Sequence, residues 1–140
     1  MCMWDKVLKG LCAAAGAIAG LLGEWNVLLS VLAGFMAIDY ATGLICAWRG
    51  RSPKTEGGGV SSRVGFDGLA RKGLIILIVL MATLLDRAIG SDGAVFQTTA
   101  CGYYIANEGI SILENRALLG VPYPKIVMNA LEAMRQKGDE

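Results

Sequence analysis

Long apolar runs separated by short polar stretches dominate the hydrophobic pattern of this chain. The run Trp25–Trp48 holds a single charge, Asp39, and the run Gly73–Leu85 holds none. Helices of soluble proteins normally present a charged face, and these two runs lack one. Two apolar runs joined by a polar turn therefore predict a membrane hairpin. The alternative is a soluble helical hairpin with a basic loop.

Two further segments extend the pattern toward the chain ends. Val7–Gly23 is short for a bilayer, which needs about 20 residues, and Lys9 must reach back toward the headgroups. A secretory signal peptide is the alternative for this segment. Ala94–Leu113 is a less uniform candidate span, and Lys125–Lys137 predicts a short amphipathic helix.

The predicted fold is a single all-α membrane domain over residues 1–140, a bundle of about four short transmembrane helices plus a C-terminal amphipathic helix. Its spans cover residues 7–23, 25–48, 70–90 and 94–115, its cytoplasmic basic loop residues 49–72, and its amphipathic helix residues 125–137.

The distribution of charge predicts the orientation. Cytoplasmic loops carry an excess of Lys and Arg. With four spans and both termini inside, Arg87 is the one cation of 13 that lies outside. A three-span arrangement would move a basic terminus outside. The topology-setting cations of the loop are Arg49, Arg51, Lys54, Arg63, Arg71 and Lys72.

Asp39 is a carboxylate inside an apolar run, with Thr42 and Gly43 on the same helical face. A carboxylate at membrane depth costs about 2.5–3.5 kcal/mol, so it must face protein or water. One interpretation is an ionisable group at a helix contact or a pore. The other is a structural carboxylate satisfied by Thr42 or by a basic partner on a neighbouring helix.

A polar stripe runs along the fourth candidate span. Tyr104, Glu108, Ser111 and Asn115 recur at helical spacing on one face. This stripe could line a water-filled lumen, or the second half of the segment could emerge into the cytoplasm. The candidate intramembrane polar residues are Asp39, Thr42, Tyr104, Asn107, Glu108, Ser111, Glu114 and Asn115.

Small residues are concentrated in the first apolar run. Gly16 and Gly20 form a GxxxG pair, which lets helix backbones approach closely in lipid. The pair predicts a face for oligomerisation or for packing within the chain. The alternative is that glycine and alanine simply keep a marginal segment compact.

The composition argues against an enzyme. The chain is 54% hydrophobic and has no histidine, which removes the usual neutral-pH general base and the commonest metal ligand. Its four cysteines form neither a CxxC pair nor a metal-ligand spacing. We therefore expect no catalytic residue, no cofactor, no metal and no nucleic-acid partner.

Three blocks of sequence resemble the toxin-secretion/phage-lysis holin family, the small holins of phages of Gram-positive bacteria. The most specific block is Tyr103–Asn115, YYIANEGISILEN, followed by Leu119–Pro122. The others are Met36–Gly43, MAIDYATG, and the Ser61–Lys72 stretch. The similarity extends from about Gly23 to Met134.

The resemblance implies a non-enzymatic protein that accumulates in the host cytoplasmic membrane and oligomerises into lesions. The lesions release an endolysin, or a toxin, for timed lysis of the host cell. The implied partners are copies of the chain and the lipid bilayer, with the endolysin as a functional partner that is not bound directly. The alternatives are a small four-span proton-coupled transporter that uses Asp39 or Glu108, and an antiholin or other regulatory membrane subunit.

Overall fold

The computed structural model describes residues 2–23, 25–90 and 92–139. These residues form five α-helices and one short 3-10 turn, without a strand among them. The all-helical part of the prediction is confirmed. The α-helices are α1 (Met3–Leu22), α2 (Val27–Trp48), α3 (Ser62–Ala88), α4 (Val95–Leu118) and α5 (Lys125–Asp139).

Two of these helices, α2 and α3, are long and apolar enough to cross a membrane. At 22 and 27 residues they are about 33 Å and 40 Å long, against a hydrocarbon core of about 30 Å. The other two candidate spans carry more charge, because α1 contains Asp5, Lys6 and Lys9 and α4 contains two glutamates and Arg116. Four spans therefore stay a prediction.

The loop between α2 and α3 is shorter than the sequence pattern indicates. Ser61 caps α3, its side-chain oxygen accepting a hydrogen bond from the Val64 amide at 3.4 Å, so the helix begins at Ser62. The prediction that residues 62–72 are loop was wrong. Glycine and serine are weak helix formers in isolation, but here Gly65 and Gly68 form a notch that receives the Tyr40 ring of α2.

The other helix boundaries differ from the predicted ones by a few residues. Three elements extend into their polar flanks, α1 starting at Met3, α4 ending at Leu118 and α5 ending at Asp139, whereas α2 begins two residues later than predicted and α3 ends two residues earlier. An apolar run marks the part of a helix that avoids water, whereas backbone hydrogen bonding continues into charged residues beyond it.

The apolar core lies between α2, α3 and α4, with the last turn of α1 at its edge. Leu22 is the buried residue of α1, and Ile18 packs against the core from the same helix. The rest of α1 is exposed. The buried core residues are Leu22, Leu29, Leu32, Met36, Ile75, Val79, Cys101 and Ile105.

Gly16 and Gly20 face away from the rest of the chain. A Cβ added at either position would meet nothing within 4 Å. Within one copy of the chain this pair therefore makes no close helix contact. Its predicted use as a packing face between copies stays a prediction.

The C-terminal helix α5 packs against α4 of its own chain. Leu131 is buried, and a Cβ added at Gly109 of α4 would lie 2.9 Å from it, so the absence of a side chain at Gly109 allows the approach. Near the end of α5, a Cβ added at Gly138 would lie 2.5 Å from the Tyr103 ring of α4, so these two residues are in contact. The amphipathic helix predicted from the sequence thus covers α4 with its apolar face.

Candidate functional site

The inward face of α3 begins and ends on a charged residue. Lys72, Ile75, Val79 and Asp86 recur at helical spacing, and the last three of these are buried. The sequence between the two charges is apolar, so both are carried into the bundle by the same face. We call the end of the bundle near Trp48 and Ser62 the loop end, and the opposite end, near Ala88, the turn end.

Lys72 joins three helices through two ion pairs. Its Nζ donates to Asp39 Oδ2 of α2 at 2.7 Å and to Glu108 Oε2 of α4 at 2.5 Å. The three side chains are only 13%, 10% and 9% exposed, in the order Lys72, Asp39, Glu108. One ammonium is therefore shared by two carboxylates, and all three side chains are nearly buried.

Asn115 extends this cluster along α4. Its Nδ2 donates to Thr42 Oγ1 at 2.9 Å and lies 3.4 Å from both the main-chain and the Oδ1 oxygens of Asp39. The Thr42 hydroxyl in turn donates to the Asp39 carbonyl at 3.0 Å. We name Asp39, Thr42, Lys72, Glu108 and Asn115 the polar cluster.

The polar cluster ties α2, α3 and α4 together at a single level. Removing one partner from a buried ion pair costs about 3–5 kcal/mol, because the remaining charge stays buried without compensation. The pairing thus fixes how far each helix is shifted along its neighbours. A displacement of one turn, about 5.4 Å, would separate all of these contacts.

A cavity of about 710 Å³ lies beside the polar cluster. Residues of α2, α3, α4 and the loop between α2 and α3 line it. Its polar lining includes Ser111, Glu114 and Arg71 in addition to the ion-paired residues. The cluster therefore closes one side of a partly polar space inside the bundle.

A second polar group holds the turn end together. Asp86 accepts hydrogen bonds from the Phe96 and Gln97 amides at 2.9 and 2.8 Å, which caps the start of α4. Gln97 Nε2 donates to Thr83 Oγ1 at 2.8 Å, and Asn26 Nδ2 donates to Gln97 Oε1 at 3.1 Å. These bonds connect the ends of α2, α3 and α4.

The predicted polar residues separate into buried and exposed groups. Asp39, Glu108 and Asn115 are buried at 7–8% exposure, and Thr42, Tyr104, Asn107 and Ser111 are half-buried. Glu114 is exposed. The stripe on α4 therefore faces the inside of the bundle over most of its length. Lys72, a cation on a neighbouring helix, pairs with the Asp39 carboxylate, and the Thr42 hydroxyl donates to the Asp39 carbonyl.

Lys72 was interpreted from the sequence only as a topology-setting cation, and that interpretation missed its role in the cluster. The signal was present, because Lys72 shares a helical face with Ile75 and Val79. Of the other topology-setting cations, all of them exposed, Arg49, Arg51 and Lys54 lie in the loop as predicted, whereas Arg63 and Arg71 lie in α3. The notch formed by Gly65 and Gly68 was also missed.

The cluster has the composition of a structural and electrostatic site. Among the described residues no group of three or more histidine, cysteine or acidic side chains is placed to hold a metal ion. The buried thiol Cys46 is held by a hydrogen bond to the Asn115 carbonyl at 3.4 Å. What the arrangement can do is keep charged groups away from lipid as long as the three helices stay together.

Comparison with known proteins decides the family. The sequence model of the bacteriophage holin family matches residues 16–136, most of the chain. The chain belongs to the bacteriophage holin family. No solved structure matches it.

Several holin relatives align over most of their length. A protein named "Probable holin" of Bacillus phage phi105 is 34% identical, over 74% of this chain and 70% of its own. An uncharacterized protein of Halalkalibacterium halodurans is 38% identical over 97% of this chain and 98% of its own. An uncharacterized 14.9 kDa protein of Clostridium perfringens is 35% identical over 91% and 92%.

The holin family is a non-enzymatic family of membrane pores. It also implies a membrane location, which agrees with the two helices that could span a bilayer. The match includes α2, α3, α4 and the polar cluster that connects them.

Proposed function

We propose that this holin-family chain accumulates in the cytoplasmic membrane of a bacterial host and oligomerises into lesions that release an endolysin, or a toxin, at a set time. Both termini and the basic loop 49–61 face the cytoplasm. The endolysin passes through the lesion without binding the holin. The polar face of α4 lines the water-filled path.

The observation that supports this proposal best is the polar cluster buried between α2, α3 and α4. Asp39, Lys72 and Glu108 compensate one another inside one chain, so a dispersed copy exposes few charges to lipid. Neighbouring helices of further copies would allow the same groups to face water instead. A chain that hides its polar groups while alone suits a protein that accumulates harmlessly before it acts.

The size of the chain supports an oligomeric lesion. Five helices in 140 residues cannot enclose a path wide enough for a folded enzyme. A wide lesion therefore needs many copies, each of which contributes one polar face.

The test is a time course of lysis in a bacterial host. Expression of the chain alone should stop growth and permeabilise the membrane, and co-expression with an endolysin should add rapid loss of turbidity. Expression of the endolysin alone is the control. Normal growth despite abundant membrane-inserted chain would refute the proposal.

The same experiment separates the other functions that the sequence allows. Substrate-dependent resistance or uptake with a tight membrane would support a transporter that uses the two buried carboxylates. Delay of lysis by another holin would support an antiholin. Neither result is expected from a chain that forms lesions by itself.

A further inference from the structure

The helix α3 is held in different ways at its two ends. In the turn-end half its inward face is packed in the core through Val79, and Asp86 caps α4, while Ile75 at the middle of the helix lies between this core and the cavity. At the loop end the cavity of about 710 Å³ replaces that packing. A helix that is packed along one half and beside a cavity along the other can pivot without unfolding.

Lys72 and Tyr40 both connect the loop-end half of α3 to its neighbours. Lys72 makes its two ion pairs at 2.7 and 2.5 Å. The ring of Tyr40 lies over Gly65 and Gly68, and its hydroxyl donates to the Gly65 carbonyl at a long 3.4 Å. The charged contact is the stronger of the two.

We propose that Lys72 is a latch: its ammonium, shared by Asp39 of α2 and Glu108 of α4, holds the loop-end half of α3 over the polar face of α4. Release of Lys72 lets this half of α3 swing about the turn end. The loop of residues 49–61, which joins α2 to the start of α3, contains the 3-10 turn with Gly57 and Gly58, both at positive φ.

Opening of the latch uncovers the polar groups that one chain otherwise hides. Ser111 and Asn115 lie on the same face of α4 as Glu108, and both line the cavity beside α3. This consequence rests on the proposed function, in which that face comes to line water between copies. The movement of α3 itself can be measured whether or not the chain forms lesions.

The experiment measures distances between spin labels in a cysteine-free chain in phospholipid nanodiscs. One label pair replaces Trp48 and Ser62, both exposed at the loop end, and a second replaces Val27 and Ile89 at the turn end. The labelled protein is diluted with excess unlabelled protein, so that distances between labels on different copies do not contribute to the signal. Lys72→Met removes the latch, and Arg71→Met removes a neighbouring exposed cation as the matched control.

We expect Lys72→Met to lengthen the loop-end distance by at least about 5 Å, the rise of one helical turn, and to broaden its distribution. The turn-end distance should stay the same, and Arg71→Met should change neither distance. An unchanged loop-end distance in Lys72→Met would overturn the latch. A change at both ends would also overturn it, because it would indicate general loss of packing.

A charge exchange keeps the test decisive if Lys72→Met folds poorly. Lys72→Glu places three carboxylates together and should lengthen the loop-end distance. Adding Asp39→Lys restores a cation between two carboxylates and should shorten it again. Failure of the double variant to shorten the distance, with helical content retained, would contradict direct pairing as the latch.

Discussion

Individual polar residues set the position of each helix in this holin. Lys72 reaches Asp39 and Glu108, which lie 33 and 36 positions away in the chain, and each of the three side chains is nearly buried. Apolar side chains can slide past one another at little cost, whereas a buried charge is stable only at its partner. The polar cluster thus selects one register among several that the apolar residues would allow.

Asp86 is the residue whose contribution to stability is easiest to isolate. It accepts hydrogen bonds from two backbone amides of α4, so we expect Asp86→Ala to lower the free energy of unfolding by about 1–2 kcal/mol. Denaturant titration in detergent micelles would measure the change. Asp92→Ala, at an exposed position of the same turn region, should have little effect. Equal losses in the two variants would contradict the capping role.

Among the helices, α4 makes the most varied contacts. It packs on α2, α3 and α5, and its glycine at position 109 lies where Leu131 of α5 and Phe35 of α2 meet. Position 102 on the same helix has open space beside it. Two glycines of one helix therefore serve different purposes, and only the tertiary contacts distinguish them.

We expect Gly109→Leu to displace α5 from α4. Overpacking of this kind costs about 1–3 kcal/mol, so the segment 119–139 should be digested by protease about tenfold faster than in the unchanged chain. Gly102→Leu introduces the same side chain without a clash and is the control. The assay is limited proteolysis in micelles followed by mass spectrometry. Equal digestion rates in the two variants would argue against docking at Gly109.

At the scale of the whole molecule, the position of α5 bears on the number of spans. The contact between Gly138 and Tyr103 shows that α5 returns along α4 past the level of Glu108. It carries Arg135 and Lys137 with it, and such charges are costly in hydrocarbon. A membrane-crossing α4 therefore requires that α5 leave it on insertion, or that the second half of α4 stand outside the hydrocarbon layer.

Labelling of single cysteines from either side of the membrane tests the topology. In a cysteine-free chain, Thr55→Cys in the basic loop should react with an impermeant maleimide only after the cells are opened. Asp92→Cys should react in intact cells. Met3→Cys and Asp139→Cys should both behave like Thr55→Cys if both termini are cytoplasmic. Reaction of either terminus in intact cells would favour three spans.

The sequence by itself determined the helical class, the apolar elements α2 and α3, the need of Asp39 to face protein or water, and the polar stripe along α4. These follow from periodicity and from the cost of a charge in an apolar run, which are local properties. The sequence also indicated the family, through its resemblance to holins in blocks such as Tyr103–Asn115. The predicted boundary between the loop and α3 was wrong, because glycine and serine disfavour a helix only until a neighbouring side chain packs on them.

Tertiary structure alone decided which polar groups meet. The choice of Lys72 among six cations as the partner of Asp39 depends on residues far apart in sequence, and no local pattern encodes their alignment. The same holds for the docking of α5 at Gly109 and for the cavity beside α3. Pattern shows which face of a helix avoids water, but the charges on that face find their partners only when the helices are assembled.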